Sequence, residues 1–236
     1  MTVLAQTRTG ADPVIERMIL DAVTQQSDRD KQTKIGPSEI GGCAYCVGHT
    51  LSQRTDNPAP DRGDSGFGYA AWIGTMCHYW LEHHLPQRIP YESFPERKVK
   101  VFDLEGYGTI GGTTDLYVPE LATTFDWKFP GKWSYDKLKL ELRSGGTPSS
   151  AYRYQQQLYG QGFRNEGLPV EKCVIVFFPR HSNRVEDILF YEEGFNPDMV
   201  DAAKTRLETI WEWVQEGSLA EIESDPDCYT CSTYGR

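Results

Sequence analysis

Hydrophobic and polar positions change period several times along the chain, and each change marks an element. Between residues 13 and 24, Val14, Ile15, Met18, Ile19, Ala22 and Val23 recur at three- and four-residue spacing, the period of a helix. SDRDKQTK (27–34) is polar throughout and reads as a loop or linker. GPSEIGGCAYCVGHTL follows, turn-rich at its start and helical at its end. DNPAPDRGDSGFG (56–68) concentrates Pro, Gly and Asp and reads as a mobile loop. Residues 70–85 form a helix that Pro86 stops.

The period then shortens. RKVKVF (97–102) predicts a strand, and 108–118 and 122–129 predict two more, joined by a tight turn at Pro119-Glu120-Leu121. A helix is expected over 150–164, ending near Gly167. Residues 172–179 and 184–192 predict a second hairpin. Asn196 can cap a long helix with Pro197 at its first position, and Gly217 can end it. Met199, Ala203, Leu207, Ile210, Trp211 and Val214 share one face of that helix. The tail DPDCYTCSTYGR has little core of its own. Strands in the middle, with helices before, between and after, predict a single α/β domain (1–236) with a mixed sheet.

With 39% hydrophobic residues, such a domain can build a core without disulfides. No apolar run approaches the roughly 18 residues of a membrane helix, and MTVLAQTRTG lacks the layout of a signal peptide. The expectation is a soluble cytoplasmic protein with no membrane partner. A net charge of −10 excludes a protein that coats DNA with its whole surface, though not one that binds DNA locally. Cys43 and Cys46 form one CxxC, and Cys228 and Cys231 another. In a reducing compartment such pairs point to a metal more than to disulfides. Cys77 and Cys173 stand alone and read as core residues.

The candidate chemistry lies on the first hairpin. Asp115 and Asp126 occupy mirror positions about a turn centred between residues 120 and 121. If the hairpin closes there, they are cross-strand partners, with Cβ atoms about 5 Å apart. Two carboxylates that close repel unless a positive charge lies between them, and a divalent cation fits. Lys128 shares the Asp126 face and can orient a water or a phosphate oxygen. Most D-x-K tripeptides are merely solvated, but Phe125, Trp127 and Phe129 are too apolar for an exposed hairpin. On the preceding helix, His78 and Glu82 share a face, with Gly74 one turn earlier, where a small residue allows close packing. Gln155 and Tyr159 share a face of a later helix. KFPGKWSYDKLKLELR (128–143) interleaves basic residues, Lys132 among them, with Trp133 and other aromatics. That composition suits a single-strand channel, but equally an ordinary amphipathic helix. Arg153, Arg180 and Arg184 can extend the same surface.

The order Gly74-x-x-x-His78-x-x-x-Glu82, Gly112-x-x-Asp115, Asp126-x-Lys128 and Gln155-x-x-x-Tyr159 resembles the RecB-like branch of the PD-(D/E)XK nuclease superfamily. The resemblance implies a restriction-endonuclease-like domain with its nuclease core at about 70–192. It implies a metal-dependent DNA exonuclease acting on single-stranded ends in recombination, repair or DNA processing, of the phage or CRISPR-associated type. Protein partners of recombination or CRISPR adaptation follow from the same resemblance. His78, Asp115, Asp126 and the Trp127 carbonyl would then bind Mg²⁺ or Mn²⁺, with Lys128 as the catalytic lysine. Gln155 and Tyr159 would be supporting residues near the DNA, and Glu82 would serve in an outer shell or brace its helix. Several relatives hold a [4Fe–4S] cluster with one cysteine before the core and three after. Here the division is two and two, in the regions 36–53 and 225–236, and paired CxxC motifs are also the usual zinc pattern. Two other readings stay open: a non-catalytic DNA-end-binding or assembly module of the same fold, and a zinc-stabilised interaction domain with incidental carboxylates.

Overall fold

The computed structural model describes residues 13–24, 34–53, 69–226, 228 and 231. The expected loop at 56–68 and most of that at 27–34 lie outside these. Helix α1 spans Pro13–Thr24, α2 Pro37–Ile40, α3 Ala44–Gln53 and α4 Tyr69–His84. Strands β1 (Phe94–Leu104), β2 (Gly108–Val118) and β3 (Thr123–Lys128) follow, then α5 (Lys132–Arg143) and α6 (Ser150–Asn165). Strands β4 (Lys172–Phe177) and β5 (Leu189–Gly194) and helix α7 (Pro197–Gln215) complete the set.

The five strands form one sheet in the order β1-β2-β3-β4-β5. All neighbours are antiparallel except β3 and β4, which are parallel. A parallel pair needs a crossover, and α5 and α6 supply it. One face of the sheet packs Leu116, Val118, Trp127, Val174 and Val176 together with Leu81 of α4 and Leu85 just beyond it. Against the other face lies α6, through Tyr159 and Phe163 beside Tyr117. A further cluster joins Ile40, Tyr45 and Leu51 to Leu207, Ile210 and Trp211 of α7. The α7 cap is as expected: the Asn196 side chain accepts from the Asp198 N–H at 2.9 Å.

The structure departs from the periodicity in several places. Strand β1 is longer than 97–102. Residues 185–187 form a 3₁₀ turn rather than the start of a strand. Asp187 explains the delay. Its carboxylate accepts from Ser182 Oγ at 2.8 Å and Lys139 Nζ at 3.1 Å, and its carbonyl accepts from Tyr135 Oη at 2.5 Å. These bonds tie the segment to α5 before β5 can pair. Helix α1 forms, but Val14, Ile15, Met18 and Ile19 are exposed. Cys173 is buried as expected, whereas Cys77 is only half-buried.

Candidate active site

The β2–β3 ladder runs Val118–Thr123, Tyr117–Thr124, Leu116–Phe125. One further step sets Asp115 opposite Asp126, the register read from the turn. The regular ladder stops there because the Trp127 N–H donates to Asp115 Oδ2 at 2.6 Å. That bond places the Trp127 backbone beside the carboxylate. Both aspartates are buried, Asp126 with only 1% of its surface exposed.

Each carboxylate faces a different basic group. His78 Nδ1 reaches across from α4 to Asp115 Oδ1 at 3.1 Å. Lys128 Nζ lies 2.6 Å from Asp126 Oδ2. Neither approach has the angle of a hydrogen bond, so His78 Nδ1 and Asp126 Oδ2 are both buried without one among the described residues. Burial pushes the Asp126 carboxyl up to about 6; the Lys128 charge opposes the rise and Asp115 adds to it. A carboxylate this enclosed, beside another, is what a bound cation relieves.

Helix α6 locks the pair from above. The Gln155 side chain accepts from Lys128 Nζ at 2.8 Å and donates to Asp126 Oδ1 at 3.0 Å. Its Nε2 also lies 3.3 Å from the Tyr159 hydroxyl, which accepts. Burial raises the Tyr159 hydroxyl, so it stays protonated. The next two glutamines dock the helix. Gln156 accepts from Thr124 Oγ1 at 3.0 Å and donates to the Val174 carbonyl at 3.1 Å. Gln157 donates to the Gly194 carbonyl at 3.1 Å and accepts from the Asn196 N–H at 2.8 Å. Gln155 is thus held rigidly over β3. Replacing it by the similarly shaped Met should leave the fold intact and lower any hydrolytic turnover roughly 10- to 100-fold, since Lys128 and Asp126 lose their common restraint. Unchanged turnover at saturating metal would remove Gln155 from the site.

Glu96 was not singled out by the sequence. Its carboxylate and the ligand atoms of His78 and Asp115 all lie within 4.8 Å of one another. In the β1–β2 register, Pro95–Leu116 and Arg97–Thr114 flank the step at which Glu96 faces Asp115. Glu96 has φ 47°, a left-handed conformation that a non-glycine residue adopts at a cost. Phe94 and Arg97, three residues apart, should face opposite sides of a regular strand. Instead the Arg97 guanidinium lies 4.9 Å from the Phe94 ring centre. The reversed backbone at Glu96 accounts for both that contact and the position of its carboxylate. Glu82, expected in an outer shell or as a brace of its helix, is not in this group; its carboxylate lies 3.8 Å from His83 Nδ1 on the same helix.

These residues line one groove of about 1180 Å³, together with Lys98, Lys100 and Gly112. Gly112 is required by close approach: a Cβ there would lie 3.0 Å from both Pro37 Cδ and Tyr159 Cε1. Gly74 has no such role, because a Cβ on it would meet no described atom within 4 Å. It lines instead a second cleft beyond His78 and Lys128, where Arg180 also lies. Lys132 and Trp133 line neither space. Lys132 pairs with Asp136 at 2.5 Å, Lys139 with Asp187, and Arg153 with Glu193 at 2.7 Å. Trp133 is exposed on α5, with Lys137 over its ring. Lys98 and Lys100 are exposed and make no ion pair among the described residues.

The cysteines expected to share a metal converge. Cys43 Sγ lies 3.5 Å from Cys231 Sγ, and Cys46 Sγ lies 3.7 Å from Cys228 Sγ and 3.6 Å from Cys231 Sγ. This cluster joins the N- and C-terminal regions at the rim of the α3–α7 core.

No known family model matches the chain, and no curated protein is similar to it in sequence. Solved structures are similar to it in fold. The alkaline exonuclease LHK-Exo from Laribacter hongkongensis superposes with a TM-score of 0.55 at 12% identity, over 81% of this chain and 92% of that one. The same protein in complex with dAMP gives 0.56 at 12% identity, over 83% and 95%. SSO0001 gives 0.54 at 14% identity, over 91% and 89%. The chain therefore has a restriction-endonuclease-like fold, a five-stranded mixed sheet flanked by helices. No helix among the described residues is long and apolar enough to cross a membrane.

Proposed function

We propose that this protein is a metal-dependent deoxyribonuclease of the RecB-like type, cutting phosphodiesters at DNA ends. One observation carries the reading. Three neighbouring strands bring Glu96, Asp115 and Asp126 into a single groove, where His78 and Lys128 meet them. The fold shared with an alkaline exonuclease, one of whose structures contains dAMP, supports it. The donor set suits a hard divalent cation, being oxygen-rich with one imidazole. His78, Glu96, Asp115, Asp126 and the Trp127 carbonyl are the residues that would hold Mg²⁺ or Mn²⁺. Bound there, such an ion supplies Lewis acidity and lowers the pKa of water.

The chain's own groups do the rest. Lys128 carries the positive charge nearest the carboxylates and orients a phosphate oxygen or a water. Gln155 fixes that ammonium, and Tyr159 steadies Gln155. Lys98 and Lys100, which make no ion pair among the described residues, hold the backbone of the incoming strand from the groove wall, and Arg180 meets it in the cleft beyond Lys128. Trp133 and Lys132 offer a stacking surface outside the groove. Single-stranded ends, a role in recombination, repair or DNA processing, and a cytoplasmic site of action in a bacterium or a phage-infected cell complete the proposal.

DNA labelled separately at its 5′ and 3′ ends, incubated with Mn²⁺, Mg²⁺ or EDTA, tests it. Metal-dependent release from one end is expected; DNA bound but never cut, with either metal, would favour a non-catalytic end-binding module. A Lys98→Ala/Lys100→Ala protein should bind single-stranded DNA roughly 10-fold more weakly. Its plot of log affinity against log salt should be shallower by about 1.4, two phosphate contacts at roughly 0.7 each. Fluorescence anisotropy across a salt series reads both, and an unaltered slope places the strand elsewhere.

A further inference from the structure

The resemblance to cluster-bearing nucleases leads to the expectation of iron at the four cysteines, but the sulfur positions disagree with a cubane. Three of the Sγ pairs lie 3.5, 3.6 and 3.7 Å apart, and all four sulfurs lie within 4.8 Å of one another. In a [4Fe–4S] cluster each thiolate holds a different iron at a different corner. The body of the cluster lies between the sulfurs and keeps them out of contact. A single tetrahedral ion does the opposite. With Zn–S bonds of about 2.3 Å, the edge of the tetrahedron is about 3.8 Å. We propose that Cys43, Cys46, Cys228 and Cys231 bind one zinc ion as a mononuclear tetrathiolate site and do not hold an iron–sulfur cluster.

The surroundings are built for a compact site. The Asp225 N–H donates to Cys43 Sγ at 3.2 Å, a contact typical of a thiolate carrying charge. Arg206 of α7 donates to the carbonyls of Ile40 and Gly42, immediately before Cys43. A Cβ on Gly41 would lie 2.4 Å from Ala151 Cα, so the same loop rests directly on the first turn of α6. The contacts from Cys43 to Cys231 and from Cys46 to Cys228 span 188 and 182 residues. One ion therefore fastens the last described segment to the start of α3, and Pro37 and Ser38 of the adjoining α2 form part of the groove wall. The zinc is a clamp on the wall of the groove, with no part in bond breaking.

The inference does not depend on nuclease activity, and its test does not use activity. The full-length protein is produced anaerobically in cells supplied with both iron and zinc, and its metal content is measured directly. One zinc per chain is expected, with no iron, no acid-labile sulfide and no absorption band near about 400 nm. Reconstitution with Co²⁺ should give the visible bands of a tetrahedral tetrathiolate. Cys228→His should retain one zinc, because Cys₃His is also a zinc site. Cys228→Ser should lose most of it and melt at least about 10 °C lower, whereas Cys173→Ser should keep it. If Cys228→Ser proves insoluble, the metal content and cobalt spectrum of the unaltered protein decide alone. Iron with sulfide at about four per chain overturns the proposal, and so does a protein that takes up neither zinc nor cobalt.

Discussion

Asp126→Asn should lower metal-dependent DNA cleavage by at least about 1000-fold while leaving the fold intact. The amide has almost the volume of the carboxylate, and its oxygen can still accept from Gln155, as Asp126 Oδ1 does at 3.0 Å. What it loses is charge. Asp126 is the carboxylate opposite Lys128 and, across the hairpin, opposite Asp115. At 1% exposure, no water can replace the missing charge. A loss of several kcal/mol in cation-mediated stabilisation of the transition state corresponds to three or more powers of ten in rate. Circular dichroism establishes that the variant is folded, and end-labelled DNA with Mn²⁺ measures the rate. Cleavage within tenfold of the unaltered protein would move the active site away from this hairpin.

Two substitutions at Glu96 should separate metal binding from backbone strain. Glu96→Gln keeps the left-handed backbone and the side-chain volume but removes the charge facing His78 and Asp115. Its Mn²⁺ affinity should fall on the order of 10- to 100-fold, with an unchanged melting temperature. Glu96→Gly removes the ligand as well, but also relieves a backbone that stands at φ 47°. That strain costs about 1–2 kcal/mol, and the extra chain entropy of glycine offsets about 0.5–1 of it. The net gain of roughly 1 kcal/mol should raise the melting temperature by about 2–4 °C. Calorimetric titration with Mn²⁺ and thermal unfolding in EDTA read the two effects independently. Should Glu96→Gln bind Mn²⁺ like the unaltered protein, the residue serves only to turn the strand. A site that binds its metal less well and folds more stably without Glu96 marks strain kept for function.

The part of the site that is readable without a structure obeys local periodicity. Asp115 and Asp126 are equidistant from the turn at Pro119–Leu121, and the observed register keeps that symmetry. Asp126 and Lys128 alternate with the apolar Trp127, and Gln155 and Tyr159 are one helical turn apart. Such relations belong to the backbone geometry of a single element or hairpin, so the residue types alone reveal them. The two CxxC motifs are legible for the same reason, as local spacing.

Glu96 illustrates the other kind of information. Its role depends on a reversed backbone and on pairing with a strand that begins twelve residues later in the chain, at Gly108. Nothing in SFPERKVKV marks it. The basic residues of α5 illustrate it again. In sequence they suit a channel or an ordinary amphipathic helix alike; in the fold Asp136 and Asp187 neutralise Lys132 and Lys139, while Lys98 and Lys100 on the groove wall make no ion pair among the described residues. The cysteines complete the contrast. Their pairing across more than 180 residues and the contact of their sulfurs exist only in the folded chain. The sequence by itself determined most of the elements, the hairpin register and the candidate set His78, Asp115, Asp126 and Lys128, because local spacing within an element or hairpin reveals those. Tertiary structure alone decided which charges are neutralised, which carboxylate joins the pair and how closely four sulfurs approach, because each depends on distances between segments that no local period encodes.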